Sequence, residues 1–338
     1  MLVLDSYGNK GISPMKCLVT GGAGYIGSNL ADRLLGEGHE VTVLDNLYTG
    51  RLKNIEHNFS NKKFRFVFGC VLDTELLSTL IRESDIIFHL AAIVGVPYVL
   101  RNPVMTLLNN TSGDQKVFQL ALDYRKKLIF ASSSEVYGCN NETPFSEESS
   151  VVLGSSATSR WSYAASKYFA EHLGQALHGR GLDITILRFA SCYGPRLNPN
   201  GMTSVIAKFI INALNNEPIP IYGKGNQTRP FTYVDDTVSG IISAMKSKNG
   251  AGEIFNISTS GSTSIEQAAK LIKNLTGSKS EIIFIEPREL GTGFEDIVKR
   301  ELDTSKAMDK LVFKADVSLE KGLMHTIEWF KNNQPSPA

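Results

Sequence analysis

The run KCLVTGGAGYIGSNLADRLLGEGHEVTVLD (16–45) constrains the fold more than any other stretch of the chain. A short β-type segment, KCLVT, leads into the glycine cluster GGAGYIG (21–27). A helical pattern follows, and EVTVLD (40–45) reads as a second strand. Together they form a β-α-β unit of about 30 residues. FRFVF (64–68), DIIFHLA (85–91), KLIFAS (127–132) and DITILRFA (183–190) read as further strands. Helical stretches separate them, notably PVMTLLNNTSGDQKVFQLALDY and SYAASKYFAEHLGQAL. Alternation of this length predicts a parallel sheet with helices on both faces.

The expected fold class is therefore α/β, a Rossmann-type doubly wound parallel sheet. After Ser191 the pattern changes to a Pro-, Gly- and Asn-rich loop, GPRLNPNG, followed by short helices and strands. That change predicts a smaller C-terminal substrate-binding lobe. Residues 15–190 are assigned to the dinucleotide-binding domain and 191–338 mainly to the lobe, with part of 232–262 returning to the first domain. MLVLDSYGNKGISP (1–14) lacks a basic segment followed by an apolar core, so it is read as a leader or extension and not a signal peptide.

Composition excludes several classes of function. Lys plus Arg number 35 against 34 Asp plus Glu, so no charge excess points to nucleic acid or to an anionic membrane. The most apolar stretch, IIFHLAAIVGVPYVL (86–100), is shorter than the ~20 residues needed to span a bilayer. Cys17, Cys70, Cys139 and Cys192 are scattered, without metal-ligand spacing. They are expected to be reduced core thiols of a cytoplasmic protein, with no metal site.

Gly21, Gly24 and Gly27 stand between a strand and a helix. A glycine turn there lets backbone approach a pyrophosphate, and the helix N-terminus adds N–H groups and positive dipole. Asp45 ends the next strand about 20 residues on, where a carboxylate can accept both ribose hydroxyls. An acid at that place repels a 2′-phosphate, so the expected cofactor is NAD. Tyr25 and Ile26 in the turn, Asn46 after the acid and Ala91 at the end of a later strand complete the expected contacts.

Two further stretches carry chemistry. YAASK places Tyr163 and Lys167 at i and i+4 on one helix face, where a lysine charge would lower the tyrosine pKa from its usual ~10. Such a tyrosine can take the proton of a substrate alcohol. FASSSEVYG (130–138) ends a strand with Ser133, Ser134 and Glu135, at the edge where an open α/β sheet meets its ligand.

In this combination and order the motifs resemble the extended short-chain dehydrogenases/reductases that act on nucleotide sugars, from Met15 to about Phe330. HEVTVLDNLYTGRLKNIEH (39–57), SSSEVYG (132–138), RWSYAASK (160–167), GNQTRPFTYVDD (225–236) and KRELD (299–303) carry it most closely toward the members that decarboxylate UDP-glucuronate. The resemblance implies Ser133 on the sugar 4-hydroxyl, Tyr163 as its base and Lys167 on the nicotinamide ribose. It implies Asn110 near the cofactor, and Ser134, Ser191, Arg229 and Arg300 with Glu135 around a nucleotide-sugar substrate, most simply a UDP-sugar. It also implies a homodimer through the Tyr163 helix and its neighbour. Two positions depart from the family pattern: Cys70 replaces an acid near adenine, and Ser191 replaces an asparagine near the diphosphate.

Glu135 separates the possible reactions. Oxidation at C4 gives a 4-ketone, which acidifies the C5 hydrogen and turns a C6 carboxylate into a β-keto acid. The resemblance implies that an acid at the Glu135 position goes with chemistry at C5 and C6, since the resembling 4-epimerases usually lack one. Arg300 suits a substrate carboxylate. Decarboxylation of a UDP-glucuronate-like substrate is thus expected. The alternatives are 4-epimerisation, 4,6- or 5,6-dehydration and, more remotely, NAD binding without catalysis.

Overall fold

The computed structural model describes residues 3–4, 10–11, 13–198, 204–286, 289, 295 and 297–333. Most of the expected leader 1–14, and the end of the GPRLNPNG loop, lie outside the described residues. The strands β1 (Lys16–Thr20), β2 (Glu40–Asp45), β3 (Phe64–Phe68), β4 (Ile86–His89), β5 (Lys127–Ser133), β6 (Ile184–Phe189) and β7 (Ile254–Ile257) form one sheet. Its order is β7-β6-β5-β4-β1-β2-β3, and every pair is parallel. The strand order reverses between β1 and β4, so the loops leaving those strands diverge and open a crevice at the carboxyl edge.

Burial on both faces explains the strand composition. Leu18 and Val19 are both fully buried yet belong to different apolar clusters, because successive side chains point to opposite faces. Beside Val19 pack Leu30, Ala31 and Leu34 of α1 (Tyr25–Gly36). On the Leu18 side pack Leu77, Leu80 and Ile81 of α2 (Thr74–Glu83). A six-residue α3 (Val96–Arg101) is followed by the long α4 (Pro103–Asp123) and by α5 (Trp161–His178). From α4 come Val117, Phe118 and Ala121, and from α5 Ala170 and Leu177, all to the Leu18 cluster.

The helix α5 is pinned to the sheet by charge. Glu171 accepts Arg188 Nε at 3.0 Å and Arg188 Nη2 at 2.7 Å, a bidentate pair from β6. The Ser132 hydroxyl of β5 donates to the same carboxylate at 2.5 Å. Both charged side chains are at most 4% exposed. Removing one partner leaves an uncompensated buried charge, so Glu171→Ala should destabilise the fold by about 3–5 kcal/mol in chemical denaturation. A loss below about 1 kcal/mol would show that α5 is held by packing alone.

Candidate active site

The glycine turn closes against the start of the loop after β4. Gly21 has φ 72°, and a Cβ there would stand 2.8 Å from the Ala91 nitrogen. A Cβ on Gly27 would stand 2.3 Å from the Gly21 carbonyl oxygen, so the turn and the first turn of α1 touch backbone to backbone. Gly24 precedes α1 in extended conformation and no side chain caps the helix. Its first N–H groups therefore stay available for an anion. The Asp45 carboxylate accepts Ala23 N at 3.0 Å and Leu47 N at 2.8 Å, which ties the strand end to the turn. Burial raises the Asp45 pKa, and the backbone donors Leu47, Ala23 and Gly24 oppose that rise.

A cavity of about 800 Å³ runs from this turn across the carboxyl edge of the sheet. Gly21, Gly24, Tyr25, Ile26, Gly27, Asp45, Asn46, Ala91 and Asn110 line it at the dinucleotide end. Ser133, Ser134, Glu135, Tyr163, Lys167, Ser191, Arg229 and Arg300 line the same cavity. The fold thus brings together all the residues that the sequence singled out. The turn, the uncapped helix and the Asp45 carboxylate fit a dinucleotide, and Lys167 lines the same cavity.

Three placements refine the expectations. Asn110 accepts Ile93 N at 2.8 Å and donates to Ile93 O at 3.1 Å, so its carboxamide braces the segment after β4. Ser191 adopts φ 36°, a region that asparagine tolerates better than serine. Only Cys17 is fully buried; Cys70 and Cys192 are half-buried and face the cavity, contrary to the expectation of four core thiols. Cys70 lies on the loop leaving β3 and Cys192 beyond β6, at strand ends where the crevice opens.

The electrostatics correct one expectation. Burial drives the Tyr163 pKa upward, the neighbouring Ser133 hydroxyl opposes it, and the Glu135 and Asp114 charges add to the rise. The i, i+4 lysine does not reverse this, because Lys167 is itself buried and its charge is compensated by Asp114, 3.9 Å away. Burial also lowers the Lys167 pKa, against the pull of Asp114 and Glu171. For Glu135 burial would raise the pKa, but Arg160 and Arg300, with Arg229 further off, hold the carboxyl at about 2. Arg160 Nη2 reaches one Glu135 oxygen at 3.0 Å and Arg300 Nη1 the other at 2.8 Å.

Arg160 was missed in the sequence reading although it lies within RWSYAASK. It stands three residues before Tyr163, a spacing that shares a helix face, and this was the available signal. Asp114 and His89 were also missed; nothing in their local pattern marks them apart from ordinary helix and strand positions.

Residues 17–258 match the model of the NAD dependent epimerase/dehydratase family. The chain belongs to that family. NAD is its cofactor, in agreement with the dinucleotide end of the cavity. The UDP-N-acetyl-alpha-D-glucosaminuronate decarboxylase of Bacillus cytotoxicus is 40% identical, over 94% of this chain and 98% of its own. UDP-glucuronic acid decarboxylase 1 of Xenopus tropicalis is 36% identical, over 96% of this chain and 76% of its own. The crystal structure of UDP-glucuronic acid 4-epimerase from Bacillus cereus, in complex with UDP-glucuronic acid and NAD, superposes with a TM-score of 0.85. It is 30% identical and is matched over 94% of this chain and 99% of that one. The resemblance read from the motifs is thereby borne out at the level of the family and its Rossmann fold.

For this NAD dependent epimerase/dehydratase, Asp45→Ala should weaken NAD by about tenfold or more, since hydrogen bonds to a charged acceptor contribute about 1.5–3 kcal/mol. NADP should lose little or gain, because the carboxylate no longer faces its 2′-phosphate. Calorimetric titration of both cofactors checks this, and equal NAD affinity in variant and wild type contradicts the role of Asp45.

Proposed function

We propose that this chain oxidises a UDP-hexuronate at C4 and decarboxylates it, as UDP-glucuronate or its 2-acetamido counterpart. The observation that supports this is the charge arrangement at the sugar end of the cavity. Three arginines, Arg160, Arg229 and Arg300, act on a single carboxylate, Glu135. Arg160 Nε and Arg300 Nη2 are buried and make no hydrogen bond among the described residues. Buried cationic donors left over after Glu135 is paired suit a second anion, and a C6 carboxylate is the anion nearest the reacting carbons.

In this reading Ser133 hydrogen-bonds the C4 hydroxyl and Tyr163 takes its proton. NAD, when bound, accepts the hydride from C4 and later returns it. Burial raises the Tyr163 pKa and the Ser133 hydroxyl opposes the rise. In this reading the Lys167 cation, four residues on along the same helix, is the further charge that favours the phenolate. The resulting ketone makes the C6 carboxylate a β-keto acid. Arg160 and Arg300 then orient that carboxylate until carbon dioxide leaves. The electron pair of the broken C5–C6 bond remains as an enolate of the 4-ketone, which takes a proton at C5 from solvent water before C4 is reduced again.

The low pKa of Glu135 favours decarboxylation over dehydration. A carboxylate held at about 2 by two guanidiniums is a weak base toward a C5 hydrogen. Decarboxylation removes no C5 proton; it ends by adding one from solvent, so Glu135 serves to fix the two arginines and not as a C5 base. The two decarboxylase relatives are in keeping with it, and the 4-epimerase with UDP-glucuronic acid supplies the second reading.

The assignment of 15–190 to the cofactor and 191–338 mainly to the nucleotide sugar is part of the same proposal. So is a homodimer through α4 and α5. Val104 and Leu108, one turn apart on α4, are 65% and 61% exposed, and Phe169 on α5 is 49% exposed. A second copy presenting the same helices would cover them. The unpaired cysteines suit a reducing, cytoplasmic setting, and among the described residues no helix is long and apolar enough to cross a membrane.

Two outcomes are expected. Incubated with a panel of UDP-sugars, the wild type should release the mass of carbon dioxide from a UDP-hexuronate. Glu135→Gln should slow that release by on the order of 10², since misplaced catalytic groups cost about that much, while a 4-keto sugar accumulates. Product isomeric with the substrate, with Glu135→Gln fully active, would establish the 4-epimerase instead. Separately, Leu108→Glu should shift the species in analytical ultracentrifugation from dimer to monomer. A monomeric wild type removes the dimer without touching the chemistry.

A further inference from the structure

A buried polar chain lies behind the catalytic helix, and the steps above use only the lysine at its end. Thr20, the last residue of β1, has its hydroxyl 2.7 Å from His89 Nδ1. His89 Nε2, on β4, is 2.9 Å from Asp114 Oδ1 on α4. Asp114 Oδ2 has no hydrogen-bond partner among the described residues and stands 3.9 Å from Lys167 Nζ on α5. All four side chains belong to buried residues. A carboxylate only accepts, so the contact from Nε2 to Asp114 is made by a His89 N–H. The Thr20 hydroxyl in turn accepts from Ala91 N at 3.4 Å, beside the glycine turn.

We propose that Asp114 is a positioning residue for the oxidation step: held by His89, it is the fixed counter-charge that keeps Lys167 cationic beneath the nicotinamide end of the cavity. The proposal rests on the reading of Tyr163 and Lys167 as the oxidation pair. Its physical basis is the cost of a buried ammonium. An isolated cation in that place would shed its proton rather than stay charged. The face of Phe130, 4.4 Å from Lys167 Nζ, favours the charged form but carries no net charge. Glu171, four residues on along the same helix, is already engaged by Arg188 and Ser132. Glu135, on the segment after β5, is engaged by Arg160 and Arg300. Tyr163 on α5 and His89 on β4 complete the titratable neighbours, and neither is an anion at neutral pH. Asp114 is therefore the carboxylate whose second oxygen is left for Lys167.

An ordinary buried His-Asp pair would make a different demand. It needs only a hydrogen-bond acceptor for His89, and asparagine supplies one with the same shape. Asp114→Asn thus separates charge from packing. In NAD-saturated protein labelled with 15N-lysine, the Lys167 ammonium, assigned by its loss in Lys167→Arg, should deprotonate at lower pH in Asp114→Asn than in wild type. Production of reduced cofactor in a single turnover should then fall about tenfold between about pH 7 and about pH 9 in the variant and hold steady in the wild type. Asp114→Glu should restore much of the alkaline activity. His89→Gln, which leaves the carboxylate in place, should lower the rate without changing its pH profile.

An unchanged Lys167 titration in Asp114→Asn, or a rate reduced by one factor at every pH, would overturn the proposal. If Asp114→Asn does not fold, the wild-type titration decides: a Lys167 already neutral at about pH 7 overturns it, and a cation persisting to about pH 9 upholds it. The lysine titration needs no substrate, so failure of the UDP-hexuronate reading leaves this test intact.

Discussion

The reversal of strand order between β1 and β4 is the constraint on which the rest depends. A parallel sheet places all its strand ends on one edge, and only where neighbouring connections run to opposite faces does that edge open. The turn after β1 and the segment after β4 meet there as bare backbone, because Gly21 has no side chain to hold them apart. Residues at the ends of β1 and β2 then line one cavity with residues of β5 and α5. Placing chemistry at the end of five different elements requires that the sheet be rigid. Its two buried faces and the Arg188–Glu171 pair supply that rigidity.

Charge in the cavity is organised at two places, one with an excess of cations and one balanced. At the sugar end, cations outnumber the Glu135 carboxylate, which stays ionised at about 2 and directs the arginines. At the nicotinamide end, Lys167 and Asp114 are nearly isolated from solvent and balance one another. Burial raises the Tyr163 pKa, and the Glu135 and Asp114 charges add to the rise. A low-dielectric site makes each of these balances stronger than it would be in water.

The glycine spacing, Asp45 and the strand-helix alternation fixed the fold class from local pattern, and six of the seven sheet strands fall within a residue or two of the sequence reading; β7 was not read as a strand. YAASK and FASSSEVYG were equally legible, since the helix period and the strand end both follow from short stretches. These features are local in the chain, and their chemistry depends on a turn, a helix face or a strand terminus. They also sufficed to assign the family.

Only the tertiary structure decided the pairings across distance. Glu135 meets Arg300, 165 residues away, and Arg160, 25 residues away, and no periodicity links those positions. Asp114 joins His89 and Lys167 because β4, α4 and α5 pack together, although each residue alone reads as an ordinary core or surface position. The direction of the Tyr163 shift depended on burial, which spacing along a helix does not encode. Sequence determined which groups are present and on which local faces they stand. The fold determined how far each is from water and from opposite charge, and those two quantities set proton affinity.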